Sequence, residues 1–198
     1  MVLVEGALDG RHQRRVANRA AVLDALVGLW RDGHYDARAT EIAERAGLSS
    51  RSLFRYFDDL DDLVRSAVEH VLTLVGDDGV LDARPSDATA FKVRALLGGR
   101  DRLFGVAGVA AHAARLAQHR STIVADRIAA TRRWAREQVA DLFAPELATA
   151  PEGTLDLVDL LTSFETWELR QGMDHATRRS TESLLATTLT DLLTREGR

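Results

Sequence analysis

A chain of 198 residues, with 45% hydrophobic and 28% charged side chains, is long enough to bury a core and too apolar to be a disordered tail. The lack of cysteine excludes disulfides and thiolate metal sites, and a net charge of −4 excludes a uniformly basic nucleic-acid coat. No stretch approaches the roughly 18 apolar residues of a membrane span, and residues 1–10 do not read as a secretory leader, so a cytoplasmic location is expected.

Only three prolines occur, and strong β-formers never alternate with polar residues, so the expected fold is all-α. Residues 1–12 read as a flexible arm. A first helix is expected from about Gln13 to Asp32. It carries Val16, Ala20, Leu23, Leu26, Val27 and Trp30 on one face and is stopped by Gly33. A short helix from about Thr40 to Ala46 follows, then a turn at Gly47-Leu48-Ser49 and a third helix from about Ser50 to Tyr56. The fourth, Leu60 to Val75, turns Leu63, Val64, Ala67, Val71 and Leu74 inward. Loop signals at 76–79 and 84–86 end a first domain spanning 13–75. Helices are expected in the second domain, 76–198, at about 87–97, 103–118, 121–143, 154–171 and 176–195, with a Pro- and Gly-containing loop at 144–153.

The stretch from Ala39 to Phe57 carries the most information. Thr40 is a candidate cap for the second helix, and Glu41 suits its positive end. Ile42, Ala46, Leu48, Leu53 and Phe57 are apolar where two crossed helices share a core, and Ala43 is small enough for a close crossing. Gly47 stands where the turn requires a left-handed backbone, and Ser49 caps the third helix. Ser50, Arg51, Ser52, Arg55 and Tyr56 are left facing outward. Hydroxyls and guanidinium groups at the start of such a helix suit base edges and phosphates. Charge agrees: residues 11–57 hold nine Arg against five acids, a net +4. The preference for Arg runs through the whole chain, where Lys92 is the sole lysine among 26 basic residues, so it is read mainly as a compositional habit.

From Gln13 to Val75 the chain resembles the TetR family of bacterial repressors, on the strength of the segment Ala43-Glu-Arg-Ala-Gly-Leu-Ser-Ser-Arg-Ser-Leu-Phe-Arg-Tyr-Phe57 and the helix after it. Further on, Leu161-Thr-Ser-Phe-Glu-Thr-Trp167 looks like the penultimate helix of many relatives. The resemblance implies a helix-turn-helix repressor that binds double-stranded operator DNA. Thr40 and Tyr56 would touch phosphate, Ser50, Arg51 and Ser52 would face bases, and Arg55 would stand at a variable contact position. Two departures stand out. Phe54 lacks the hydroxyl of the Tyr often found at its position, and Leu60 replaces a phosphate-directed Lys. Asp58, Asp59, Asp61 and Asp62 surround Leu60. They either cap the fourth helix or weaken DNA binding. Arg11, Arg14, Arg15 and Arg19 either compensate or form a solvated face.

The resemblance also implies a homodimer built on the last two helices. Leu157, Leu160, Leu161, Phe164, Trp167 and Glu168 spread around one of them, and Leu184, Leu185, Leu189, Leu192 and Leu193 stripe the other. Such stripes serve a monomer core equally well. Phe91, Phe104, His112, Trp134, Phe164 and Trp167 are the candidate lining of an effector pocket, with core packing as the alternative for each; together they suggest a small apolar or amphipathic effector. No cofactor or metal is expected: His112 and His119 share a helix face but lack further donors. No nucleophile elbow, phosphate loop or zinc-protease motif occurs, so an enzyme is not expected. The competing reading is a ligand-binding helical module that has lost DNA affinity and acts through a protein partner.

Overall fold

The computed structural model describes residues 3–75 and 79–197, with side chains from residue 12 onward. The loop signal at 76–78 and the Arg11 side chain lie outside them. Every regular element among the described residues is an α-helix, and none of these helices is long and apolar enough to cross a membrane. The chain forms two compact units, one from residues 1–74 with 109–126, the other from 75–108 with 127–198. The second unit begins at Val75, and neither unit is contiguous in sequence. The reason is α5 (Thr89–Ala117), a single helix where two were expected, which contributes its last turns to the first unit.

In the first unit α1 runs Leu3–Arg31, so the backbone of the expected arm is helical from Leu3. Between Leu3 and Gln13 the sequence holds no proline, and a helix once nucleated propagates at little cost. Val22, Leu23, Ala25, Leu26, Val27, Leu29 and Trp30 are buried. Val16, expected on the same face, is exposed. It lies ahead of the buried run, in a stretch where Asn18 reaches Tyr56 and Arg19 reaches Ser66. Gly33 ends the helix at φ 85°, with its N–H on Trp30 O and the His34 N–H on Leu29 O, the bond pair of a Schellman cap. Four short elements complete the fold: α2 (Ala39–Arg45), α3 (Ser50–Leu53), α4 (Leu60–Val75) and the Ala-rich end of α5 leading into α6 (Thr122–Leu142). On α4 the inward stripe is Leu63, Ala67, Val68, Val71 and Val75; Leu74 is exposed, since the buried face passes to Val75 at the last turn.

The second unit packs α5, α6, α7 (Ala144–Leu147), α8 (Thr154–Leu161), α9 (Phe164–Gln171) and α10 (His175–Thr194). Its core is Val93, Leu96, Val139, Leu142, Phe143, Val158, Leu185, Leu189 and Leu193. Each fully buried side chain of this size contributes about 1.5–3 kcal/mol. Gly98-Gly99 does not break α5. A Cβ on Gly99 would lie 2.6 Å from Leu81 Cδ2, so the glycine admits a close neighbour. The helix expected over 154–171 is two helices. Thr162 Oγ1 donates back to Val158 O, and Ser163 Oγ accepts the Thr166 N–H to start α9. Asp174 caps α10 through the Ala176 and Thr177 N–H groups, and the bond from the Thr177 hydroxyl, followed by those from the two N–H groups, holds its pKa below the usual carboxylate range.

Candidate functional site

The motif in the first unit is built from its turns outward. Ile42 and Ala43 of α2, Leu53 of α3 and Phe57 are buried, and Ala46 and Leu48 are half-buried. Gly47 adopts φ 69° and donates to Glu44 O, while Leu48 donates to Ala43 O at 2.8 Å, a second Schellman pair. Ser49 caps α3 as expected, its Oγ accepting the Ser52 N–H at 3.3 Å. The cap of α2, in contrast, is Arg38 and not Thr40. Glu41 accepts the Arg38 N–H at 2.7 Å, which lowers its pKa and leaves Thr40 exposed in the first turn. Arg45 closes the motif onto α1 by pairing with Asp32 at 2.6 Å. Its guanidinium lies over Gly28, where a Cβ would come within 2.8 Å of it.

None of the six candidate DNA-contacting residues is buried: Thr40, Arg51 and Arg55 are exposed, and Ser50, Ser52 and Tyr56 are half-buried. They come from the first turn of α2 and the α3 segment. Regular helix ends at Leu53, and Phe54 to Tyr56 continue as a tighter turn with Arg55 and Tyr56 donating three residues back. The Ser52 hydroxyl lies 3.0 Å from Ser49 Oγ, so it is partly engaged in the cap. Tyr56 Oη accepts from Asn18 Nδ2 at 3.0 Å, which leaves the phenolic proton free to donate elsewhere. Phe54 is 47% exposed beside these groups.

Two carboxylates of the acidic cluster after α3, those of Asp59 and Asp62, are engaged locally. Asp59 Oδ1 accepts the Asp62 N–H at 2.7 Å, and Asp62 Oδ2 accepts the Asp58 N–H at 3.1 Å, a reciprocal cap on α4. Asp62 also pairs with Arg65 at 2.5 Å, and Arg65 pairs with Glu69. Of the basic residues on α1, Arg14 and Arg15 are exposed. Arg19 stands over the Phe57 ring at 5.0 Å and donates to Ser66 Oγ, so it braces the motif.

The six candidate pocket residues do not form one group. In the second unit Phe104, Phe164 and Trp167 come together, with ring centroids 5.5–5.8 Å apart. Gly108 lets the indole approach, since a Cβ there would meet the Trp167 ring at 3.2 Å. Phe91 is exposed and lines an open depression of about 410 Å³ with Leu81, Asp82, Ala83, Arg84 and Asp87. Trp134 is exposed and sits against Gly79. His112 belongs to the first unit, where its ring meets that of Tyr35 with centroids 4.5 Å apart and the planes tilted by 43°. The continuity of α5 explains this placement: it carries His112 past the residues that belong to the second unit.

No family model matches the sequence, and no curated protein matches it. Among solved structures, the chain is similar to a protein from Rhodococcus sp. assigned to the TetR-family transcriptional regulators. The match has a TM-score of 0.63 at 18% identity and covers 88% of this chain and 99% of that one. The fold is that of a TetR-family regulator. Within this TetR-type fold, two residues of the motif were not singled out from sequence as contacts to Tyr56 or Phe57: Asn18, and Arg19 in its bracing role. Both lie on α1, and their spacing from Tyr56 and Phe57 is 38 residues in each case, beyond any local pattern.

Proposed function

We propose that the protein is a ligand-responsive transcriptional regulator that binds a palindromic operator as a homodimer and releases it when a small apolar or amphipathic effector binds. The observation that carries this reading is the unburied set Thr40, Ser50, Arg51, Ser52, Arg55 and Tyr56 on a helix-turn-helix whose turn and caps are complete. Arg51 and Arg55 present forked donors suited to guanine or phosphate, and the hydroxyls suit either. One helix this short reads too few base pairs, so a second copy about one DNA turn away is required. Leu157 and Leu160 on α8 and Leu184 on α10, exposed in the single chain, supply apolar surface for that pairing. The Phe104–Phe164–Trp167 cluster supports an effector with an apolar body. An effector that binds one conformer better shifts the population away from the DNA-competent one.

The alternative, a module without DNA affinity, drew on Asp58, Asp59, Asp61 and Asp62. The use of Asp59 and Asp62 in capping favours the DNA-binding reading instead. Fluorescence anisotropy with duplexes from the DNA flanking the gene tests it. Specific retention of one palindromic site, lost in Arg51→Ala, is expected. Equal affinity for a scrambled duplex at moderate salt would overturn it.

A further inference from the structure

The face of α9 that carries Phe164 and Trp167 continues one turn on to Arg170, and the face of α5 that carries Phe104 continues one turn back to Asp101. Arg170 is 4% exposed and donates from Nη2 to Asp101 Oδ1 at 2.9 Å. Its Nε and Nη1 are buried and have no acceptor among the described residues. These two nitrogens lie on opposite sides of Nη2, so each of the two forks of the guanidinium keeps an unfilled donor. Among the described residues Asp101 meets one N–H, and its side chain is 45% exposed, so water screens it. Arg178 brings a second cation to the same end of α9. It donates to Gln171 O at 2.9 Å, and its buried Nε also has no acceptor among the described residues. Phe104 and Trp167 are half-buried, so part of their ring surface is open to a guest.

A buried cation with unfilled forks calls for a charged acceptor, and the neighbouring rings call for a flat apolar body. We propose that Arg170 anchors the carboxylate of an aromatic monocarboxylate whose ring lies against Phe104 and Trp167. This rests on the effector reading above and narrows it to one chemical class.

Titration of the full chain, read by calorimetry and tryptophan fluorescence, tests the proposal with two acids, 2-naphthoate and phenylacetate, and their alcohols, 2-naphthylmethanol and 2-phenylethanol. The acids are expected to bind at least about tenfold tighter than the alcohols. Arg170→Gln is expected to bring the acids to the level of the alcohols and leave the alcohols unchanged, with Arg170→Lys intermediate. Alcohols binding as well as acids, or an Arg170→Gln chain that keeps its preference for acids, would overturn the anionic subsite while leaving the effector reading intact. Binding of none of the four also overturns the subsite; the effector reading falls only if a wider uncharged panel leaves the melting temperature unchanged. Should Arg170→Gln fail to fold, a wild-type crystal soaked in 2-naphthoate decides. A carboxylate within hydrogen-bond distance of Nε or Nη1 supports the proposal, and a carboxylate elsewhere or none overturns it.

Discussion

Lys92→Met tests how the second unit tolerates a charge in its core. Lys92 is 1% exposed, and its Nζ donates to Glu146 Oε2 at 2.7 Å, Pro85 O at 2.9 Å and Leu142 O at 3.3 Å, beside the Phe143 ring. Methionine keeps the length of the stem but removes the cation, leaving Glu146 with Thr89 Oγ1 as a side-chain donor. Breaking a buried pair from one side costs about 3–5 kcal/mol. The Glu146 side chain is 12% exposed and reaches some water, which puts the cost near the lower end, about 3 kcal/mol. For a chain of this length that lowers Tm by about 6–12 °C.

The pH dependence gives the sharper check. Burial pushes the Glu146 carboxyl up, but the bonds from Lys92 and Thr89 outweigh it and hold the pKa below the usual value. A depressed carboxylate contributes stability above its unfolded pKa and loses it as pH falls through the folded one. In Lys92→Met burial is left to dominate, so Glu146 takes up a proton on mild acidification and the cost is relieved. Urea unfolding followed by circular dichroism at about pH 7.5 and about pH 4.5 should therefore show the gap between the two proteins narrowing in acid. Lys92→Met with Glu146→Leu should recover most of the loss at neutral pH. A gap under about 1 kcal/mol at neutral pH, or one that does not change with pH, would refute the reasoning.

Arg51→Ala is expected to weaken operator binding by about 1–3 kcal/mol and to relax the sequence preference, measured by anisotropy against single-base variants of the site. Gly47→Val places a β-branched residue at φ 69° and should cost about 1–2 kcal/mol of stability or more, read by thermal unfolding; an unchanged Tm would mean that the turn relaxes. Asp59→Ala removes the cap of α4 and should lower stability by about 1 kcal/mol, whereas Asp58→Asn, which leaves both cap bonds in place, should not. Any gain in DNA affinity in Asp58→Asn that vanishes at high salt would assign a repulsive role to that charge. Leu160→Glu with Leu184→Glu should give a monomer by light scattering and lose operator binding together with dimerisation.

Local chemistry was legible in the sequence. The glycines at 33 and 47, the cap at Ser49 and the stripe from Leu23 to Trp30 each act within a few residues, so their pattern suffices to place the helix-turn-helix and its outward side chains. The cap of α2 was misplaced because Arg38 uses its backbone N–H and not its side chain, which no side-chain preference signals. A glycine pair such as Gly98-Gly99 suits a helix break as well as a close approach, and only the position of Leu81 chooses between them. The expected pocket shows the same limit. Aromatic residues on separate helices meet or part according to how those helices pack, so Phe104, Phe164 and Trp167 converge while His112 goes to the other unit with Tyr35.

The sequence by itself determined the helical class, the glycine stops at 33 and 47 and which side chains the motif turns outward, because hydrogen bonds between near neighbours and the 3.6-residue period are written into consecutive residues. Tertiary structure alone decided which buried charges found partners. Lys92 meets Glu146 across 54 positions and Arg170 meets Asp101 across 69, and pairings over such distances follow from the packing of whole helices.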